Sequence, residues 1–429
     1  MKSIPYPIGL FLVLSIPSTA LAQNRFVPNY DESAIAAYEL PSALVTSKGA
    51  RIADAATWQE SRRPEILDLF ESQVYGRSPA RCKIQYEPVS EKLDAINGKA
   101  IRREVDVRML MGSRSTTMRL LIYTPKSSSS VPVFIGLNFQ GNHTVDPADD
   151  ISITTNWVRN RGEVKNNRST ESTRGTASGR WPIEMMIDRG YGLVTIYYGD
   201  IDPDFADGFK NGIHPQFEQQ MSSVPPGERW GSIAAWAYGL SRAVDYLEQD
   251  DAIDAKRVAV IGHSRLGKTS LWAGATDPRF KLVISNNSGC GGAALSRRAV
   301  GETIERINTS FPHWFCDNYV KYNKNENACP VDQHMLLGLI APRAAYVASA
   351  TGDRWADPRG EFLSCVHADP VYRLLGTSGM GGNQPPAEFP AAENPVKSGH
   401  LGYHLRTGKH DVTDYDWAQY LDFADRHVK

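Results

Sequence analysis

A short apolar strand that passes through a tight turn into a helix is the feature that most constrains this chain. Residues 258–261 are apolar, residues 262–267 read GHSRLG, and a helical pattern begins near Leu266 and continues through Trp272. Such a turn holds a serine hydroxyl at the C-terminal edge of a parallel sheet, where the first N–H groups of the helix face it. The spacing departs from G-x-S-x-G because Leu266 takes the place of the second glycine and Gly267 follows it. The pattern predicts that Ser264 is a nucleophile.

Strand and helix patterns alternate along most of the chain. Alternating or continuous apolar runs predict strands over 101–110, 118–123, 131–137, 192–198, 282–285 and 344–349, and helical patterns cover 58–70, 182–188, 231–249 and 416–427. Continuous apolar runs suit parallel strands that are covered on both faces. The order predicts an α/β three-layer sandwich with a mostly parallel central sheet. Together with the serine turn, it indicates an α/β-hydrolase fold. We expect one catalytic domain over residues 23–429 with an extended N-terminal arm.

A serine needs a base to become nucleophilic, and the base needs an acid to orient it. In α/β-hydrolases the chain order is serine, acid, histidine, with the histidine in the segment before the last helix. We expect this segment, 400–411, to be a loop, and it contains His400, His404 and His410. His410 is the favoured base because it lies nearest the final helix, and His404 and His400 are the alternatives.

The acid should follow a strand between the serine and the histidine. The strand over 344–349 is followed by Asp353 and Asp357. Asp353 is favoured because it lies closer to the strand end. Asp357 is the alternative, although an aspartate before Pro358 also suits a turn.

The N-terminus predicts export. Lys2 supplies a positive charge, residues 8–14 are apolar, and residues 20–22 read ALA before Gln23. This is the pattern of a signal peptide over residues 1–22, and its apolar run is too short to span a membrane. We expect the mature protein to be secreted or periplasmic.

Composition excludes several other classes of protein. Lys plus Arg total 47 and Asp plus Glu total 48, so a basic surface for nucleic acid is not expected. The five cysteines form no C-x-x-C pair, which argues against a structural zinc site. Residues 200–207 contain four aspartates without EF-hand spacing, and we expect a solvated loop there. No metal or organic cofactor is expected, and the chain is expected to be a monomer.

Two motifs resemble those of a known family. Residues 262–268 read GHSRLGK and residues 287–294 read NSGCGGAA, and both are similar to signatures of the glucuronoyl esterases. The resemblance extends over most of the chain from about Trp58 onward. It implies a secreted esterase that cleaves the ester between 4-O-methyl-glucuronic acid on xylan and lignin alcohols.

The resemblance also implies roles for individual residues. Ser264 would be the nucleophile, and Arg265 would stabilise the oxyanion through its backbone N–H and its guanidinium. Lys268 would bind sugar hydroxyls, and Trp355 would line the sugar site. The substrate partner would be glucuronoxylan or a lignin–carbohydrate ester.

One position departs from the family pattern. Many members carry a glutamate as the triad acid where this chain has Asn287. An amide cannot stabilise an imidazolium as a carboxylate does. Bacterial members that resemble this chain place the acid on the later strand, which suits Asp353.

Other interpretations stay open at this point. An acetyl-xylan or feruloyl-type esterase could use the same fold, since fold alone does not separate these activities. An inactive glycan-binding homologue is the second alternative, because of Asn287. Residues 311–315 are expected to form a cap over the site, and Trp314 and Phe315 within it suit either stacking on a sugar or packing in the core.

Overall fold

The computed structural model describes Met1, residues 26–127 and residues 129–429. The predicted signal peptide falls on 1–22 and, apart from Met1, lies outside the described residues. Residues 26–54 are mostly irregular. In the part of the chain that the structure describes, no helix is both long and apolar enough to cross a membrane.

One large sheet runs through the described residues. Its strands are β1 (Lys83–Ala95), β2 (Ala100–Met111), β3 (Arg114–Pro125), β4 (Val131–Asn138), β5 (Gly192–Tyr197), β6 (Ile253–His263), β7 (Phe280–Asn286), β8 (Ala344–Ala350) and β9 (Leu401–Arg406). The spatial order is β1-β2-β3-β5-β4-β6-β7-β8-β9. Every pair from β5 across to β9 is parallel, and the pairs β1–β2, β2–β3 and β3–β5 are antiparallel. The predicted mostly parallel sheet is confirmed.

Helices cover both faces of this sheet. They are α1 (Ala55–Thr57), α2 (Arg63–Phe70), α3 (Ile183–Asp188), α4 (Glu218–Met221), α5 (Ser232–Leu247), α6 (Arg265–Thr276), α7 (Ile304–Ser310), α8 (Gln333–Ile340), α9 (Pro358–Leu374) and α10 (Asp414–His427). Helices α5, α6, α8 and α9 pack over one core, and α3 and α10 pack over the other. Neighbouring residues of one strand enter opposite cores, as Phe134 and Ile135 of β4 do. This is the predicted three-layer arrangement.

Two strands differ from the sequence-based expectation. The segment 400–411 was expected to be a loop, but residues Leu401–Arg406 form β9 at the edge of the sheet, parallel to β8. The polar members of β9 are buried because Asp416 of α10 binds both His404 and Arg406. Strand β1 was not predicted, and it is mostly exposed, with little apolar alternation.

Candidate active site

Ser264 lies in the turn between β6 and α6. Its backbone has φ 59° and ψ −128°, which is a strained conformation for a residue with a side chain. The Ser264 N–H donates to the Asn286 carbonyl of β7 at 2.9 Å, which fixes the turn against the sheet. A Cβ at position 262 would lie 1.8 Å from the Leu266 carbonyl oxygen, so the turn requires Gly262.

The position of the second glycine has a packing explanation. A Cβ at 267 would lie 3.0 Å from the Ser288 Cβ, closer than ordinary contact. Leu266, by contrast, is buried in the core. The shifted glycine in GHSRLG therefore reflects where the loop after β7 approaches α6.

His410 and Asp353 are brought together at the same edge of the sheet. His410 Nδ1 lies 2.6 Å from Asp353 Oδ2. Asp353 follows β8 and is buried, whereas the His410 side chain is 42% exposed. With Nδ1–H donating to the carboxylate, Nε2 is the basic nitrogen. The structure brings Ser264, His410 and Asp353 together in the lining of one cavity.

The alternative histidines lie elsewhere. His404 is fully buried in β9, with Nε2 2.8 Å from Asp416 Oδ1 and Nδ1 3.1 Å from the Tyr346 hydroxyl. His400 Nδ1 lies 3.2 Å from the Ser378 carbonyl oxygen. Neither lines the cavity at Ser264.

Asp357 is held in a different environment from Asp353. Its carboxylate accepts from Arg298 Nε at 2.8 Å and from the Gly360 N–H at 3.0 Å, where it caps α9. It is absent from the described cavity lining. The geometry therefore favours Asp353 over Asp357 as the partner of the histidine.

His263 stands beside the base without competing for a proton. Its ring centroid lies 4.4 Å from that of His410, and its Nδ1 lies 2.6 Å from Asn286 Oδ1. Burial, together with the charges of His410 and Arg180, lowers the pKa of His263 well below its ordinary value. His263 is therefore neutral at physiological pH.

Arg265 is held by a buried carboxylate. Its guanidinium forms an ion pair with Asp204 and lies 4.7 Å from the centre of the Trp314 ring. Asp204 is fully buried and also accepts from His313 Nε2 at 2.8 Å and from Trp314 Nε1 at 2.8 Å. Burial opposes ionisation of Asp204, but the bond from His313 and the charge of Arg265 hold its pKa well below its ordinary value.

The prediction of a solvated loop over residues 200–207 is wrong for Asp202 and Asp204. Asp202 and Asp204 are 3% and 0% exposed. Asp202 binds the Ser232 hydroxyl at the start of α5, and Asp204 binds Arg265 at the start of α6. The sequence indicates a role for these aspartates only through the position of the loop. It follows β5 and so lies at the C-terminal edge of the strands, where Ser264 also lies.

The cavity at Ser264 encloses about 310 Å³, and we call it the inner cavity. Lys268 lies in its wall, with Nζ 2.5 Å from the Ser288 carbonyl oxygen and 3.3 Å from Glu302 Oε2. Trp355 lies in the same wall. Sequence reasoning missed Glu302, which no motif marks.

Trp314 and Phe315 lie in different environments. Trp314 lines the inner cavity and stacks on Phe311 with ring centroids 3.8 Å apart. Phe315 is buried and packs against Tyr75 and Tyr319. Trp314 therefore belongs to the site and Phe315 to the core.

Asn287 lies in the inner cavity with its amide unpaired. Its backbone has φ 47°, and its N–H donates to the Ala348 carbonyl at 2.7 Å. Both side-chain amide atoms are buried without a hydrogen-bond partner among the described residues. The loop that follows is fixed by Glu361, which accepts from the Ser288 and Gly289 N–H groups at 2.8 and 3.0 Å.

A larger chamber opens on the other side of Ser264. It encloses about 920 Å³ and shares Ser264, Arg265 and His410 with the inner cavity. Its wall includes aromatic and basic side chains, among them Phe139, Tyr415, Arg159, Arg161 and Arg180. Ser264 thus lies where a small cavity and a large chamber meet.

Comparison with known proteins identifies the family. A family model described as glucuronyl esterase, fungi, matches residues 225–376. The carbohydrate esterase MZ0003, from an unknown prokaryotic organism, is 50% identical over 404 residues, which cover 93% of this chain and 92% of that protein. A solved promiscuous CE15 esterase from a marine bacterial metagenome has a TM-score of 0.87 at 50% identity, over 94% of this chain and 100% of that one.

A second solved structure gives the same result. The glucuronoyl esterase from Solibacter usitatus superposes with a TM-score of 0.86 at 47% identity, over 92% of this chain and 100% of that one. These similarities confirm the resemblance seen in the two motifs, the α/β-hydrolase fold and the activity class of carboxylic ester hydrolase. The chain belongs to the glucuronoyl esterases, family 15 of the carbohydrate esterases.

Proposed function

We propose that this protein is a secreted serine esterase that cleaves the ester between (4-O-methyl-)glucuronic acid of glucuronoxylan and lignin alcohols. The observation that carries the proposal is the 2.6 Å hydrogen bond from His410 to Asp353 in the cavity that Ser264 lines. It supports a Ser264–His410–Asp353 triad that forms an acyl-enzyme.

The chemistry follows from these positions. His410 Nε2 accepts the Ser264 proton as Ser264 Oγ attacks the ester carbonyl, and Asp353 stabilises the imidazolium that forms. The oxyanion develops at the N-terminus of α6, near the Arg265 N–H and guanidinium. His410 then gives its proton to the leaving alcohol, and water repeats the sequence to release the uronic acid.

Asp204 acts through Arg265 in this scheme. It holds the guanidinium over the Trp314 ring before substrate arrives, so no reorganisation is needed when negative charge develops on the oxyanion. Arg159 forms a second ion pair with Asp204 at 3.1 Å. Asp204 is therefore a positioning residue.

The two spaces at Ser264 suit the two halves of the ester. The inner cavity is the size of a single sugar, with Lys268 and Glu302 for hydroxyl groups and Trp355 for the ring face. The chamber of about 920 Å³ has room and aromatic wall residues for a lignin alcohol. We assign the uronosyl group to the former and the alcohol to the latter.

The remaining parts of the proposal concern the whole chain. Residues 1–22 are proposed to be removed on export, which leaves a single catalytic domain over 23–429. We propose that this mature protein acts as a monomer outside the cytoplasm.

The test is hydrolysis of benzyl glucuronate by the mature protein, beside an acetyl ester of xylose. The Ser264→Ala variant should lose about three to six orders of magnitude in kcat, because the nucleophile is removed. The exposed Ser222→Ala variant is the matched control and should keep wild-type kinetics. A wild-type rate that survives Ser264→Ala would contradict the proposal.

The substrate comparison separates the alternatives. Turnover of the acetyl ester well above the glucuronate ester would favour an acetyl-xylan esterase. Binding of glucuronoxylan without cleavage of any ester would favour an inactive homologue, for which Asn287 is the relevant substitution.

A further inference from the structure

A third cavity opens on the β2–β3 side of the sheet. It encloses about 910 Å³ between β2, β3, the loop 152–157 and the segment 197–212, and we call it the outer cavity. Among the described residues it shares no lining residue with either space at Ser264. Tyr197 and Trp157 face the outer cavity, whereas their neighbours Tyr198 and Arg159 line the large chamber. One wall therefore separates the two spaces.

Two aromatic rings form part of this wall. The ring centroids of Trp157 and Phe205 lie 4.7 Å apart with their planes at 46°. Both side chains are half-buried, so part of each ring faces the cavity. The Tyr197 hydroxyl donates to the Trp157 carbonyl oxygen at 2.5 Å, which fixes the loop that carries the indole. Such a platform suits a ligand with an apolar C–H face.

Hydroxyl and amide groups surround the platform. Asn156 Nδ2 donates to Asp200 Oδ1 at 2.7 Å, which leaves its second N–H and its carbonyl oxygen for a ligand. The Thr116 hydroxyl donates to Gln216 Oε1 at 3.0 Å and so keeps its acceptor capacity. Ser152 and Thr117 add further hydroxyl groups to the lining. Uncharged donors and acceptors of this kind match a polyhydroxyl ligand.

The charges in the outer cavity balance. Arg119 binds both oxygens of Asp106 at 2.7 and 2.8 Å, and its backbone N–H donates to Asp200 at 3.2 Å. Arg168 is the second basic group in the lining, so two arginines stand against two aspartates. A site for a phosphate or a free uronate would present an excess of positive charge. The balance therefore selects an uncharged ligand.

We propose that the outer cavity binds a neutral oligosaccharide on the Trp157–Phe205 platform. Strand β5, which borders it, lies two places from β6 in the sheet, a lateral distance of about 10 Å from the strand that carries Ser264. A polysaccharide whose uronosyl branch occupies the inner cavity can therefore extend toward this site. The choice of xylan as that polysaccharide rests on the proposed function, whereas the binding site itself does not.

The test is calorimetric titration of the mature protein with xylohexaose and, in a second arm, cellohexaose. Neither sugar carries an ester, so the result is independent of turnover. Trp157→Ala should weaken xylohexaose binding by about tenfold or more through loss of the stacking face, and Phe205→Ala should weaken it in the same direction. Tyr86→Ala, which removes a 45% exposed aromatic on β1, is the matched control and should leave the Kd unchanged.

The outcomes separate the inner and outer cavities. Equal Kd values for the wild type and for both platform variants, with native circular dichroism, would overturn the proposal. A loss of binding confined to Trp355→Ala would also overturn it, because the sugar would then occupy the inner cavity. Binding of cellohexaose with the same dependence on Trp157 would support a neutral oligosaccharide site without preference for xylan. Lost esterase activity with intact sugar binding would count against the proposed function alone.

Discussion

Asp353 and Asp357 lie on the same loop but contact different partners. Asp353 accepts from His410 in the inner cavity, and Asp357 pairs with the buried Arg298 and caps α9. The same substitution at the two positions should therefore change different quantities. One affects the reaction and the other affects the stability of the fold.

We expect Asp353→Asn to lower kcat by roughly two to four orders of magnitude, because the imidazolium loses its carboxylate. Asp357→Asn should instead lower the free energy of unfolding by about 3 kcal/mol, because Arg298 loses a buried partner, with kcat largely kept. Steady-state kinetics and urea unfolding on both variants provide the check. The reverse pattern would exchange the two assignments.

The unpaired amide of Asn287 suggests a rescue experiment. Its side chain lies in the cavity wall after β7, where many family members carry the acid, and it has no partner to lose among the described residues. In an Asp353→Ala background, Asn287→Glu should restore at least about tenfold in kcat, because a carboxylate then faces the base from the earlier strand. Asn287→Gln in the same background is the control of matched size. No recovery in a folded double variant would show that His410 is out of reach from position 287.

Part of the candidate site can be predicted from individual residues of the sequence. Ser264, His410 and Asp353 follow from the turn motif and from chain order, because the hydrolase sheet places these segments at one edge. Asp204 and Glu302 do not follow, since their partners Arg265 and Lys268 are brought near only by tertiary packing. Four aspartates in a loop have the same local pattern whether they are solvated or buried.

At the scale of elements, the first turn of α9 holds the loop that carries Asp353 against the sheet. Glu361 in its first turn is fully buried, accepts from two N–H groups after β7, and lies 2.6 Å from the Ser349 hydroxyl of β8. Burial raises the pKa of Glu361 from its ordinary 4.5 to about 8, and the charge of Asp353 adds to the shift. The carboxyl is therefore protonated at neutral pH.

This shift makes stability depend on pH. The folded protein holds the Glu361 proton up to about pH 8, whereas the unfolded chain releases it near pH 4.5. The contribution to stability is complete below pH 4.5 and is lost as the pH rises through 8. Glu361→Gln mimics the protonated acid, so its free energy of unfolding should fall less between pH 5 and pH 9 than that of the wild type. Urea unfolding at several pH values measures this, with exposed Glu91→Gln as the control; parallel profiles for all three proteins would contradict it.

Elements differ in how far the sequence predicts them. The central strands β4 and β5 were predicted because both of their faces are buried and their residues are almost all apolar. Strand β1 was not predicted because it is mostly exposed. Strand β9 was not predicted because His404 and Arg406 are residue types common in loops. They are buried in the strand only because Asp416 of α10 binds both. A local sequence pattern therefore predicts a strand or helix where burial alone determines which residue types it contains.

At the scale of the whole molecule, the near-zero net charge conceals a local excess. The chain carries a formal charge of −1, yet Arg159, Arg161, Arg180 and Arg265 all line the large chamber. Asp204 and Asp411 pair with three of these side chains, Asp414 also lines the chamber, and Arg161 is exposed. Four arginines therefore stand against three aspartates. The chamber therefore carries a small excess of positive charge.

We expect this field to favour alcohols that carry a negative charge. At low ionic strength, the 4-carboxybenzyl ester of glucuronic acid should have a higher kcat/KM than the benzyl ester, and the advantage should fade in about 0.5 M salt because the charges are screened. Arg161→Gln should reduce the advantage. A ratio of the two esters that does not vary with salt would contradict the prediction.

The meeting of two spaces at Ser264 also governs the order in which products leave. In the proposed mechanism, the alcohol leaves the large chamber first, while the sugar stays in the inner cavity as an acyl group on Ser264. The second half of the reaction then draws its acceptor from whatever enters that chamber. Water would compete there with any small alcohol present, so we expect added methanol to divert acyl-enzyme from uronic acid to methyl uronate. We therefore expect the protein to act as a transferase whenever an alcohol reaches the chamber before water does.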